Sequence, residues 1–132
     1  MGITNVLKKM DLFDDLTEVQ LKRVIQIAQR KEYKAGEVLF TEGTSSAAMY
    51  IIEKGQVRII KFLGPGKEKT LNVLGDGDFF GEMTFLDRAP RSATAKTITD
   101  SVIWNVSGEG FKKTLMATEP QIAVNILYKI IK

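Results

Sequence analysis

The residues able to do chemistry lie together in one run, Phe79-Phe80-Gly81-Glu82-Met83-Thr84-Phe85-Leu86-Asp87-Arg88-Ala89-Pro90-Arg91-Ser92-Ala93-Thr94-Ala95-Lys96-Thr97. Gly81 has no Cβ, so a ligand or another stretch of backbone can come close there. Glu82 to Leu86 is long enough for one helical turn, whose free N–H groups attract an anion. Pro90 stiffens the loop, and Arg91 follows at once with a planar guanidinium that grips phosphate through two parallel bonds. Ser92 sets a hydroxyl beside it. A carboxylate to accept from a sugar hydroxyl and an arginine for a phosphate together suit a phosphorylated ribose.

This is binding chemistry rather than bond-breaking chemistry. The chain has no cysteine and no histidine. A disulfide framework, a thiol nucleophile, a His-based triad and the usual zinc or iron sites are therefore excluded. No catalytic residue and no metal ligand is assigned, although carboxylate-only chemistry remains formally open. The turn Gly75-Asp76-Gly77-Asp78 has too few oxygen ligands for a calcium loop and is read as a turn.

The elements that must position these residues fit in one domain spanning residues 1–132. Hydrophobic residues make up 44% and charged residues 27% of the chain, enough for a proper core on a soluble protein. The net charge of +3 is too slight and too scattered to point to nucleic acid or a membrane surface. No apolar run approaches the roughly 20 residues that span a bilayer, and no signal-peptide pattern opens the chain, so the expected location is cytoplasmic.

Residues 1–28 are expected to be helical. Ile3 to Met10 forms a short helix with Val6, Leu7 and Met10 turned inward, and Asp11 to Asp15 is a break. Thr17 with Gln20 three residues on is a capping box, and Leu16 with Leu21 can form the hydrophobic staple. Leu21, Val24, Ile25 and Ala28 recur at helical spacing as a packing stripe.

From Gln29 the period changes to that of strands, which continue to residue 107. Lys31 to Tyr33 and Val38 to Thr41 are joined across Ala35-Gly36-Glu37. Met49 to Glu53 and Gln56 to Phe62, with a turn at Lys54-Gly55, look like a hairpin. Lys69 to Leu74 follows the Gly64-Pro65-Gly66 loop, and Ser92 to Lys96 and Val102 to Val106 close the set. Short strands between turn signals indicate an antiparallel sandwich or roll. Residues 108–132 read as helices, over Gly108 to Met116 and from Thr118 onward with Pro120 in the first turn. Ile122, Ala123, Ile126, Leu127, Ile130 and Ile131 make a continuous apolar stripe, with Lys129 and Lys132 at the favourable end of the helix dipole.

The run from Phe79 to Thr97 resembles the phosphate-binding cassette of cyclic nucleotide-binding domains. That pattern is Phe-Gly-Glu-Leu/Met, a small residue, two apolar residues, a variable loop, then Arg-Ala/Ser/Thr-Ala. Here it reads Phe80-Gly81-Glu82-Met83-Thr84-Phe85-Leu86 and then Arg91-Ser92-Ala93. Gly36-Glu37-Val38-Leu39-Phe40, Glu42-Gly43, and Tyr50, Ile52, Gly55 and Val57 extend the likeness over essentially the whole chain.

The resemblance implies a β-roll of the double-stranded, jelly-roll-like type with N- and C-terminal helices, and a regulatory module rather than an enzyme. Its ligand would be cAMP, or cGMP, with no further cofactor. It implies that Glu82 binds the ribose 2′-hydroxyl and Arg91 the cyclic phosphate. Gly81, Met83, Thr84, Ser92 and Ala93 would complete the cassette, while Leu71 and Val73 form an apolar wall for the base. Ser92 permits cGMP, but related Arg-Ser-Ala cassettes prefer cAMP, which is the expected ligand.

Since no helix-turn-helix follows, direct nucleic-acid binding is not expected. The C-terminal stripe is expected to be partly exposed and to favour a homodimer or a partner protein. Two alternatives stay open. One is the sensor half of a catabolite-activator-type regulator, and the other is a degenerate roll serving only protein–protein contact.

Overall fold

Two four-stranded antiparallel sheets share one apolar interior, and the helices pack against the outer face of one of them. The computed structural model describes residues 3–10, 13–81 and 89–131. In chain order the elements are α1 (Ile3–Lys8), α2 (Glu18–Gln26), β1 (Ala28–Tyr33), β2 (Val38–Phe40), β3 (Ala48–Lys54), β4 (Val57–Gly64), β5 (Lys67–Leu74), β6 (Phe79–Phe80), β7 (Thr94–Thr97) and β8 (Ser101–Ser107). A short helix α3 (Gly108–Gly110) continues as wider π-helical turns over Phe111–Met116, and α4 (Pro120–Ile131) closes the described chain. One sheet has the order β1-β8-β3-β6 and the other β2-β7-β4-β5. The expected β-roll with terminal helices is the observed fold.

Strand β3 explains how the two halves of the core meet. Four consecutive residues, Met49 to Ile52, are buried, because each face of the strand has its own cover. Met49 and Ile51 point to the helices, where they join Leu21, Val24, Phe111, Leu115, Ile122 and Ile126. Tyr50 and Ile52 point into the roll, where they meet Val57, Phe80, Ala95 and Ile103. This is the period-2 alternation of a strand with both faces covered, which reads in sequence as an unbroken apolar run.

The start of α2 is as the sequence indicates. The Thr17 hydroxyl accepts from Gln20 N–H at 3.2 Å, and Thr17 N–H donates to Gln20 Oε1 at 2.9 Å. Leu16 and Leu21 are both buried. The end differs, for α2 stops at Gln26 and Ala28 opens β1 opposite Val106. A six-residue antiparallel ladder along β8 replaces the further helical turn that the spacing of Ala28 suggested.

The expected hairpin of Met49–Glu53 with Gln56–Phe62 is not formed. β3 pairs with β8 and β6, whereas β4 pairs with β5 and β7 in the other sheet. The chain crosses between sheets at Gly55, whose φ of +124° is open to glycine and strained for other residues. A Cβ there would also lie 2.1 Å from Ser101 Oγ. β1 and β2 are likewise divided between the sheets. The hairpin that does form is β4–β5, around Gly64 and Gly66, both at positive φ.

The C-terminal helix tests part of the expected apolar stripe. Ile122, Ala123 and Ile126 are buried in the helical side of the core and Leu127 packs against it, so this part of the stripe is covered by the chain itself. Among the described side chains of α4, Val124 and Tyr128 are the large apolar ones left exposed. Lys129 reaches back to Asp14 at 2.6 Å and Asp15 at 3.5 Å, tying α4 to the segment before α2. The side chains of Val6, Ile130, Ile131 and Lys132 lie outside the described residues. Among the described residues no helix is long and apolar enough to cross a membrane.

Candidate functional site

Arg91 is the centre of the site, and its backbone is fixed before its side chain is. Arg91 N–H donates to Thr44 C=O at 2.8 Å, and Gly43 N–H donates to Arg91 C=O at 2.8 Å. Ser45 and Pro90 form an isolated bridge beside them. The cassette exit is thus laced onto the loop between β2 and β3. Lys61 adds a second tie, donating to Ser92 C=O at 2.9 Å while it pairs with Glu42 at 2.8 Å. The Lys61 ammonium holds the Glu42 carboxyl below the usual carboxylate range through that hydrogen bond, working against partial desolvation.

The guanidinium turns inward and is only 3% exposed. Nε donates to Ser46 Oγ at 3.2 Å and Nη2 donates to the same oxygen at 3.0 Å. Nη2 also donates to Ala48 C=O at 2.9 Å, and Nη1 donates to Gly81 C=O at 3.0 Å. Its carbon lies 4.2 Å from the Phe40 ring centroid and 5.8 Å from that of Tyr50. A buried cation is costly unless it is hydrogen-bonded, and here carbonyl dipoles and aromatic faces replace water.

Phe40, Tyr50 and Phe80 form the floor beneath it, with Tyr50 and Phe80 stacked at 5.1 Å between centroids. Burial raises the Tyr50 phenol pKa, opposed by the Arg91 charge and reinforced by Tyr33. Gly81 shapes the remaining wall. Its φ is +83°, and a Cβ there would meet Arg91 Nη1 at 2.9 Å, Ala48 O at 3.1 Å and Tyr50 Cδ1 at 3.3 Å. Glycine is required at this position so that the arginine and β3 can approach.

Phe40, Phe80, Gly81 and Arg91 line a cavity of about 250 Å³, together with Ser92 and Ala93. Phe40, Ile59, Leu74, Phe79 and Phe80 give it an apolar lining, and Asn72 contributes an amide. A polar end built on a cation and a hydroxyl, beside an aromatic and aliphatic lining, fits a phosphorylated sugar carrying a planar base. A hollow of about 310 Å³ elsewhere, lined by Glu32, Tyr33, Lys34, Lys54, Asp100 and Ser101, is a charged surface trough between strand ends.

The structure therefore brings together four of the sequence-derived site residues, Gly81, Arg91, Ser92 and Ala93. Glu82, Met83 and Thr84 lie outside the described residues. Leu71 and Val73 are corrected: they are 52% and 50% exposed, and the cavity is lined by Asn72 and Leu74 instead. Register gives the reason. Leu74 pairs with Val57 and Asn72 with Ile59 on the inner face, whereas Val73 pairs with Arg58. Leu71 falls where the register shifts between Ile59 and Ile60.

The sequence also left Ser46, Tyr50 and Asn72 unassigned as site residues. Tyr50 carried a signal in the apolar run of β3. Ser46 carried none, since a hydroxyl within Thr44-Ser45-Ser46 reads as an ordinary loop.

With this geometry in view, the comparison with known proteins is decisive for the class. The family model for the cyclic nucleotide-binding domain matches residues 30–118, and the chain belongs to that family. The cyclic AMP receptor protein of Thermus thermophilus is 32% identical over 120 residues, 91% of this chain and 55% of that protein. Among solved structures, the N-terminal domain of a transcriptional regulator from Streptomyces coelicolor A3(2) superposes with a TM-score of 0.86 at 25% identity, covering 96% of this chain and 87% of that one. The regulatory domain of Toxoplasma gondii PKA, crystallised with cAMP, superposes with a TM-score of 0.74 at 32% identity, covering 85% of this chain and 42% of that one. The chain thus spans about half the length of the receptor protein.

Proposed function

We propose that this chain is a regulatory module that binds cAMP, or less tightly cGMP, in the cavity beside Arg91. The cyclic phosphate is taken by Arg91 and Ser92, the ribose 2′-hydroxyl by Glu82, and the base by the apolar lining around Ile59 and Leu74. The role is binding, with no reaction assigned to any residue. The single observation that carries the reading is the position of Arg91. It is a buried cation in a cavity that Phe40, Ile59, Leu74, Phe79 and Phe80 line with aromatic and aliphatic groups. The Thermus receptor and the Toxoplasma domain with cAMP support the same ligand class.

Signalling would run through β3. Phe80, at the entry to the cassette, pairs with Tyr50, and its neighbour Phe79 pairs with Ile51. Ile51 in turn packs among the helical residues. A ligand that tightens the cassette therefore acts on the surface that carries α4, favouring one helix arrangement over another. The exposed Val124 and Tyr128 of α4 are the face on which a second copy or a partner protein would read that change.

The test is mass spectrometry of small molecules released from the purified protein, followed by calorimetric titration with cAMP and cGMP. Saturable binding of either, lost in Arg91→Ala at a temperature where that variant is folded, is expected. No binding of either nucleotide at millimolar concentration would refute the reading.

A further inference from the structure

The hydrogen bonds of Arg91 raise a question that the binding reading alone leaves open. A guanidinium has five N–H donors and offers a phosphate two forked edges, Nε with Nη2 and Nη1 with Nη2. In this structure Ser46 Oγ sits across the first edge, at 3.2 and 3.0 Å. The carbonyls of Ala48 and Gly81 sit across the second, at 2.9 and 3.0 Å. Both edges are capped by the protein itself, in a group that is 3% exposed.

We infer that Ser46 is an internal latch on Arg91, a hydroxyl that holds the phosphate-gripping edge and must yield it when an anion binds. This rests on the assignment of Arg91 as the phosphate anchor. Of the acceptors among the described residues, Ser46 is the one that belongs to a side chain rather than to the backbone. Ala48 opens strand β3, and Gly81 follows directly on β6, so withdrawing either carbonyl means moving backbone attached to a paired strand. Ser46 lies in the loop between β2 and β3, and a single χ1 rotation carries its oxygen away.

The exchange is also chemically downhill once an anion arrives. A hydroxyl accepting from a guanidinium is a neutral partner, whereas a phosphate oxygen makes the shorter and stronger ion-assisted bond. The latch consequently lowers the affinity of the protein for its ligand without abolishing it, because only the fraction of molecules with the edge released is competent. It also links the ligand to the loop, because Ser46 sits next to Gly43, Thr44 and Ser45, which are laced to the backbone of Pro90 and Arg91.

The experiment compares wild type, Ser46→Ala, Ser46→Thr and Arg91→Ala by calorimetric titration with cAMP and cGMP, and by thermal melting with and without nucleotide. Removing the hydroxyl should tighten binding by about three- to tenfold, since the competent fraction rises. The same variant should melt below wild type without nucleotide and show a larger nucleotide-induced rise in melting temperature. Ser46→Thr keeps the hydroxyl and should stay near wild type in both measurements.

Weaker binding by Ser46→Ala would make Ser46 a positioning residue and overturn the latch, and unchanged binding would overturn it equally. In both cases, nucleotide bound by wild type and lost in Arg91→Ala leaves the anchor assignment standing. Binding by Ser46→Ala where wild type shows none would support the latch in its strongest form. Binding by neither protein would refute the latch together with the nucleotide reading.

Discussion

Replacing Arg91 by alanine should do more than remove a ligand contact. The substitution strips donors from Ser46 Oγ, Ala48 C=O and Gly81 C=O at once. A buried acceptor left without its partner costs about 1–3 kcal/mol. Two considerations reduce the sum. The adjoining cavity admits water to some of these groups, and the variant no longer carries the several kcal/mol of desolvation attached to a buried cation. Loss of the contact with the Phe40 ring, worth about 2 kcal/mol when desolvated, acts in the opposite direction. The expected net loss is about 2–4 kcal/mol. For a chain of 132 residues that corresponds to a fall in Tm of roughly 6–15 °C. Urea unfolding and thermal melting, both without nucleotide, measure it directly. Arg91→Lys should fall between the two, because an ammonium keeps the charge but cannot reproduce the planar fork. If Arg91→Ala melts within a degree or so of wild type, the brace described here is wrong and the guanidinium contributes nothing to the fold.

Four further outcomes are expected. Glu82→Ala should erase most of the preference for a ribose over a 2′-deoxyribose ligand, measured by competition titration, because a site built to bind a hydroxyl rejects the analogue lacking it. Ser92→Ala should change the ratio of cAMP to cGMP affinity by about one hydrogen bond, roughly 0.5–1.5 kcal/mol; a wild-type preference for cGMP of tenfold or more that the variant abolishes would reverse the choice of ligand. Gly55→Ala should destabilise by about 2–5 kcal/mol in urea unfolding, combining a strained φ with overpacking against Ser101. The hydrogen bond to Asp14 raises the Lys129 pKa, so the pair stabilises fully below the ordinary lysine value of about 10.4 and is lost as pH rises through the folded value. Melting curves of wild type should therefore drop more steeply above that pH than those of Asp14→Asn/Asp15→Asn.

The sequence revealed what local rules control. The capping box of Thr17 and Gln20, the buried stripe of Leu21 and Val24 and the strand run of Met49 to Ile52 each depend on neighbours a few residues away, and each is found in the structure. Partner choice between strands is not local. The turn at Lys54-Gly55 looks the same whether the next strand folds back or crosses to the other sheet, and its packing against Ser101, far along the chain, leaves no room for a Cβ at Gly55. Leu71 and Val73 failed for a related reason. Alternation in β5 identifies two faces but not which one is inner, and the pairing of Leu74 with Val57 and of Asn72 with Ile59 puts those two on the cavity side. Gly81, Arg91, Ser92 and Ala93, which the structure gathers at one cavity, could be singled out because they belong to one contiguous run. Whether Arg91 is also braced from inside was not legible, since Ser46 and Ala48 lie more than forty residues before it.

That brace bears on how the proposed binding would be coupled to signalling in one small domain. A surface arginine would take phosphate without consequence for the fold, because nothing would be given up on binding. Arg91 instead joins three segments, the loop before β3, the first residue of β3 and the glycine that follows β6, through one planar group. Any redistribution of its hydrogen bonds is felt on β3, whose opposite face carries Met49 and Ile51 into the helical core. Close packing makes such a core switch between discrete arrangements rather than deform smoothly. On the proposed function, a hydrogen-bond exchange at the cassette would be a sufficient input if α4 had two arrangements that differ by only a few kcal/mol, the range a single ligand can shift.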